Sequence, residues 1–271
     1  MISALSGLAW GFLPLAASTQ PLPASVDRNG DGQIVVACLG DSNTDARWQN
    51  GKAGGFPPES GWCERLVDSL GDPRVRLVNL ALGGATVGEN TIGAPLGEGW
   101  RWVGEGQLRV ALEKERPDLV LLAFGTNDIL PKHGGDPAGV ADSYNRLWRR
   151  LRAHDVLGFV ALTPPVQRHA RTGAYRRSPE VIAQTNARIR EIFPDRLILD
   201  FHTDATADDF LDDLHLNERG QAKRAREARR KIVAAASVTA PPAGVRALRF
   251  SRGHWAAGTS PPEPGLEPAG D

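Results

Sequence analysis

Ile34-Val35-Val36-Ala37-Cys38-Leu39 runs directly into Gly40-Asp41-Ser42-Asn43-Thr44, and this join decides the fold. An unbroken apolar run followed at once by a Gly-rich polar turn reads as a strand buried on both faces, the pattern of a parallel sheet. Four more runs follow: Val75–Leu80, Leu119–Phe124, Phe159–Leu162 and Leu197–Phe201. Helical spacing fills the intervals. Trp62–Leu70 is stopped by Gly71 and Leu108–Glu115 by Pro117; Ala141–Ala153, Glu180–Ile192 and Glu218–Ala236 complete the set. Strands alternating with helices, joined by right-handed crossovers, predict a three-layer α/β/α sandwich on a five-stranded parallel sheet.

The chain has 271 residues, 41% of them hydrophobic, enough for one sizeable core. Lys plus Arg and Asp plus Glu both number 32, so the formal net charge is zero. That balance argues against nucleic acid as a partner. No apolar run after Ala17 reaches the length of about eighteen residues that an integral membrane span needs. Residues 1–26 read as a signal peptide or disordered leader. Ile2–Ala17 is apolar and Ala16-Ala17-Ser18 resembles a cleavage site, but the positive start is missing and Pro14 interrupts the run. Residues 27–238 form the expected domain, and the Pro-studded 239–271 reads as a disordered tail. A secreted or periplasmic protein is expected, with a cytoplasmic one as the alternative. The sequence sets no oligomeric state. Cys38 and Cys63 read as buried free thiols, a bridge between them being the alternative. The basic residues of the last helix, Arg219 to Lys231, read as a solvated face.

In an open α/β sheet the ligand lies beyond the carboxyl ends of the strands. Gly40-Asp41-Ser42-Asn43-Thr44 follows the first run, Gly83-Gly84-Ala85-Thr86 the second and Gly125-Thr126-Asn127-Asp128 the third. A hydroxyl, backbone N–H groups and a side-chain amide converging there are the parts for acyl transfer. A general base is supplied by Asp212-Asp213-Leu214-His215, where an Asp three residues before a His can reach Nδ1 and leave Nε2 for a serine.

Gly40-Asp41-Ser42, the glycine after the second strand, Gly125-x-Asn127-Asp128 and Asp212-x-x-His215 together resemble the four blocks of the GDSL/SGNH hydrolase family, in order and spacing, over about Ile34 to Ala234. The resemblance implies a flavodoxin-like sheet and ester hydrolysis through an acyl-enzyme. It implies Ser42 as nucleophile with Asp212 and His215, and an oxyanion hole from the Ser42 and Gly84 N–H groups and the Asn127 amide. Asn43 stands where the family name has Leu. Gly83 is the neighbour to which the second block could slip; Gly84-Ala85-Thr86 fits the family's Gly-x-Thr better. No Gly-x-Ser-x-Gly elbow points to an α/β-hydrolase. Asp41 and Asp128 read as supporting residues.

Alternatives attach to several residues. Ser42 on its own is an ordinary helix-cap serine, and its partners carry the catalytic reading. His202 is a rival base, and Asp200, His202 and Asp204 share one face of an extended segment as metal ligands would; no further His or Cys completes a set, so neither metal nor cofactor is expected. Asp27-Arg28-Asn29-Gly30-Asp31-Gly32 imitates half a calcium loop, but Cys38 stands where the bidentate Glu belongs, and a plain turn is expected. Trp100 and Trp102 suit stacking on a sugar or aryl ester, or loop packing. Arg168, Arg171, Arg176 and Arg177 read as surface charge. The expected substrate is a small-molecule or carbohydrate ester with a short acyl group, since no long apolar lid segment is present. Acyl transfer to a sugar hydroxyl and a non-catalytic carbohydrate-binding module are the alternatives.

Overall fold

The computed structural model describes residues 21–45, 61–88, 99–133, 136–165, 177–212 and 214–239. Strands β1 (Ile34–Gly40), β2 (Val75–Asn79), β3 (Leu119–Ala123), β4 (Leu157–Ala161) and β5 (Ile198–Leu199) form one sheet in the order β2-β1-β3-β4-β5. Every pairing is parallel. The order reverses between β1 and β3, the crevice where doubly wound sheets bind ligands. Helices α1 (Trp62–Leu70) and α5 (Glu218–Thr239) cover one face. Helices α2 (Gly104–Val110), α3 (Pro137–Ala153) and α4 (Pro179–Ile192) cover the other. The expected α/β/α sandwich is the observed one.

The unbroken apolar runs conceal a period of two. Val36, Cys38, Leu119, Leu121 and Phe159 face the core under α1 and α5. Ala37, Leu39, Val120, Leu122 and Val160 face the core under α2 and α3. Only β2 departs from burial on both faces: it is an edge strand and its residues are half-buried or exposed.

Local signals set the helix ends, and the helix expected from Ala141 begins four residues earlier, at Pro137. Gly71, at φ 61°, closes α1 with its N–H on Asp68 O. Asp136 caps α3 by accepting from the Ala138 and Gly139 N–H groups, with Pro137 in the first turn. The helix expected at Leu108–Glu115 starts earlier, at Gly104, and its last turn, Ala111–Glu115, is π-helical.

Two expectations are corrected. Cys38 and Cys63 are joined in a disulfide, because α1 packs its first turn onto the middle of β1; both residues are fully buried. The basic residues of α5 are not a uniformly solvated face. Arg224 is buried with its guanidinium 4.9 Å from the centre of the Phe201 ring, and buried Lys231 reaches Asp195 at 2.9 Å. The packed body also includes Leu22 and Val26, both in the core. Residues 1–20 and 240–271, and with them Trp255 and Phe250, lie outside the described residues.

The disulfide closes a sequence separation of 25 residues, so reduction is expected to lower stability by about 3.5 kcal/mol on the chain-entropy account. Protein purified without reductant and unfolded in guanidinium should show no titratable thiol; finding both thiols free would refute the bridge.

Candidate active site

Ser42, Gly84 and Asn127 lie in the loops that follow the carboxyl ends of β1, β2 and β3, held by side chains that satisfy backbone groups the sheet leaves open, and Asp212 and His215 come from a later loop. After β1 the chain turns at once, with the Thr44 and Asp45 N–H groups both donating to Asp41 O at 3.0 and 2.9 Å. Buried Asp41 accepts the Asn43 N–H at 2.9 Å and fixes this turn around Ser42. Buried Gln107 from α2 clamps Gly40 on both sides: the Gly40 N–H donates to Oε1 at 2.9 Å, and Nε2 donates to Gly40 O at 3.1 Å.

The late loop carrying Asp212 and His215 is a tight hairpin, with Leu211 N–H donating to His215 O at 2.7 Å. Asp212 Oδ1 accepts the Leu214 and His215 N–H groups at 2.8 and 2.6 Å. Its Oδ2 lies 2.8 Å from His215 Nδ1, and His215 Nε2 lies 3.2 Å from Ser42 Oγ. A proton on Nδ1 leaves the Nε2 lone pair facing the hydroxyl. Burial tends to raise the Asp212 pKa, but the hydrogen bonds from the His215 side chain and from the His215 and Leu214 N–H groups outweigh it and hold the carboxyl below its ordinary value.

Asn43 makes this meeting possible. Its Nδ2 donates to Leu214 O and its Oδ1 accepts the Leu216 N–H, both at 3.3 Å, so one amide ties the serine turn to the histidine loop 171–173 residues away.

After β2, Gly84 sits at φ 89°, and a Cβ there would lie 2.9 Å from Trp102 Cζ3; both facts require glycine. The Gly83 N–H is engaged by Asp45 Oδ2 at 3.2 Å, whereas the Gly84 N–H meets no acceptor among the described residues. After β3, Gly125 sits at φ 103° against Thr163 Oγ1, where a Cβ would collide. Asn127 Nδ2 donates to Ala85 O at 3.0 Å. Asp128 accepts the Val87 and Gly88 N–H groups on Oδ1 (2.9 and 3.1 Å) and the Gly125 N–H on Oδ2 (3.2 Å). The second and third loops are thereby one unit. Burial pushes the Asp128 pKa up to about 7, assisted by the nearby Asp41 charge and opposed by the backbone donors.

The other candidates fall elsewhere. His202 is turned onto Thr163 O through Nδ1 at 3.0 Å, and it is His215 that meets Ser42. Asp200 Oδ2 is held by Arg190 and Thr203 at 2.8 and 2.7 Å, and no three metal-binding side chains group together among the described residues. Asp27 and Asp31 accept backbone N–H groups of their own turn. Arg177, expected at the surface, is buried, with Nε on Thr126 O at 2.8 Å and Nη2 on Asn127 Oδ1 at 3.2 Å. Residues 46–60, 89–98 and 166–176, including Arg168, His169, Arg171, Tyr175 and Arg176, lie outside the described residues. Asn43, Gln107 and Arg177 are the working residues that the sequence reading missed. Gln107 left one sign, an amide on the apolar side of a short helix.

A parallel sheet ordered 2-1-3-4-5 with a serine, a histidine and a carboxylate in line at its carboxyl edge defines the class of an ester hydrolase. The model of the GDSL-like lipase/acylhydrolase family matches residues 38–223, more than half of the chain, and the chain belongs to that family. Among solved structures it is similar to a protein provisionally described as an arylesterase from Agrobacterium tumefaciens str. C58, with 25% identity, TM-score 0.58, and 74% of this chain and 98% of that one covered. It shares its fold with Est24, a carbohydrate acetylesterase from Sinorhizobium meliloti, at 19% identity and TM-score 0.58 over 75% of this chain and 100% of that one. The aryl esterase of M. smegmatis is a further fold neighbour, at 16% identity and TM-score 0.55, covering 73% and 98%. A search among curated proteins gives no significant match. No helix among the described residues is long and apolar enough to cross a membrane.

The raised Asp128 pKa has a signed consequence. The native state holds this proton more tightly than the unfolded chain, whose value is near 3.8. The resulting stability is fully present below that value and is lost as pH rises through about 7. In urea unfolding, the stability difference between wild type and Asp128→Asn should therefore shift against the wild type between pH 4 and 7 and level off above. A difference independent of pH would show that Asp128 titrates normally.

Proposed function

We propose that the protein is a serine esterase cleaving carboxylic esters with short acyl groups, O-acetyl groups on carbohydrate among them, through an acyl-enzyme on Ser42. The observation that carries this reading is the line from Asp212 Oδ2 through His215 to Ser42 Oγ, at 2.8 and 3.2 Å. His215 Nε2 takes the hydroxyl proton as Oγ attacks the ester carbonyl. The oxyanion is received by the Ser42 and Gly84 N–H groups and the Asn127 amide. His215 then protonates the leaving alcohol, and water repeats the sequence on the acyl-enzyme. Asp41 and Asp128 support the loops without touching the substrate.

Trp102 packs against Gly84, which puts an indole beside the proposed oxyanion position, where a sugar or aryl ring can stack. The fold neighbours named for carbohydrate acetyl esters and aryl esters act on substrates of that shape. The absence of a long apolar lid segment in the sequence favours a short acyl group. The Cys38–Cys63 bridge supports a working place outside the reducing cytoplasm. Residues 27–238 are taken as the catalytic domain, against which Leu22 and Val26 also pack, with the residues before Leu22 as its leader and 239–271 as its tail.

Ser42→Ala is expected to abolish turnover of an activated acetate ester and labelling by a fluorophosphonate while leaving thermal unfolding intact. Asn127→Ala should lower kcat by about 10²–10³. Asp212→Ala should cost less than His215→Ala, because it orients the base rather than moving the proton. Normal hydrolysis by Ser42→Ala would end the assignment. A series of acetate to palmitate esters, followed by acetylated sugars, tests the substrate range.

A further inference from the structure

Arg177 is 8% exposed, yet a guanidinium keeps its charge in proteins. A buried cation is costly unless its donors are matched, and here they meet the loop after β3: Thr126 O and Asn127 Oδ1. Its backbone is anchored in turn, because the next residue, Ser178, caps α4.

These contacts settle which way the Asn127 amide faces. A guanidinium only donates, so the Asn127 atom facing it is the oxygen. The Ala85 carbonyl only accepts, so the atom facing it, at 3.0 Å, is the nitrogen. Held at both ends, the amide cannot flip, and one Nδ2 hydrogen remains for a further acceptor. We infer that Arg177 is the positioning residue of the oxyanion hole: it locks the Asn127 amide with this N–H toward the site. Its charge on Oδ1 also polarises the amide and makes Nδ2 a stronger donor as negative charge develops on the substrate oxygen. Arg177 acts through Asn127 and does not touch the substrate. The inference rests on the proposed role of Asn127 as an oxyanion donor.

The test is a double-mutant cycle on kcat and KM for an acetate ester, using wild type, Arg177→Met, Asn127→Ala and the double variant. Arg177→Met should lower kcat about 10- to 100-fold, the size of loss that a misplaced catalytic group gives, with KM within about twofold. In the Asn127→Ala background the same change should alter kcat by less than about threefold. An equal loss in both backgrounds, or a loss confined to KM, would overturn the inference while leaving the Asn127 assignment standing. If Asn127→Ala itself keeps full kcat, the oxyanion reading fails first and the inference with it. Should Arg177→Met not fold, Arg177→Lys runs the same cycle. It keeps the charge but loses the planar fork that spans Thr126 O and Asn127 Oδ1. A kcat loss of at least about threefold that vanishes without Asn127 is then expected, and its persistence there would refute the role.

Discussion

The ladder of a parallel sheet stops at the last residue of each strand, but the chain beyond is still buried and its N–H and C=O groups still need partners. In this protein, buried side chains supply them. Gln107 holds both backbone groups of Gly40. The Phe124 N–H donates to Tyr144 Oη at 2.7 Å. Asp128 takes three N–H groups from two loops. Asn186 holds the Thr163 N–H and C=O, each at 2.9 Å. The loops that carry the chemistry are therefore fixed without being strands, and the side chains of the site inherit that order.

The same constraint explains the charge pattern. Holding backbone donors requires acceptors, and the strongest are carboxylates, so Asp41 and Asp128 sit buried near one another. Burial raises the pKa of both, Asp128 to about 7. Two buried cations act on Asp41. Arg224, whose pKa burial lowers to about 10, and Arg177 both favour the charged form of Asp41. In a low-dielectric interior such fixed charges act strongly on groups close by. The serine turn thus lies in a polar frame that the fold has already fixed. The Cys38–Cys63 bridge and the edge-to-face contact of Trp62 with Phe201, centres 5.2 Å apart, brace the apolar layer on the α1 side of the sheet.

The parts of the site legible in sequence are those whose chemistry is local. Asp212 and His215 lie three residues apart, so their contact follows from one tight turn. Gly84 and Gly125 stand in Gly-rich turns that directly follow apolar runs. Ser42 stands at the end of an apolar run. Asn43, Gln107 and Arg177 were not legible in this way, because each works on a residue far along the chain: Asn43 on Leu214 and Leu216, Gln107 on Gly40, Arg177 on Thr126 and Asn127. Arg177 even looked like surface charge, being one of several arginines in a loop, and only its burial shows otherwise.

The layer architecture and the parallel sheet were readable from sequence alone, as were Ser42, Asn127, Asp212 and His215 as candidates for one site. Apolar periodicity, turn residues and short spacings are properties of neighbouring positions, and the physics that reads them is local. Only the tertiary structure decided that Cys38 meets Cys63, that β2 is a half-exposed edge, that His215 rather than His202 reaches Ser42, and which way the Asn127 amide faces. Each of these depends on the side chains that folding brings together from distant segments, and on the cost of leaving buried polar groups unpaired.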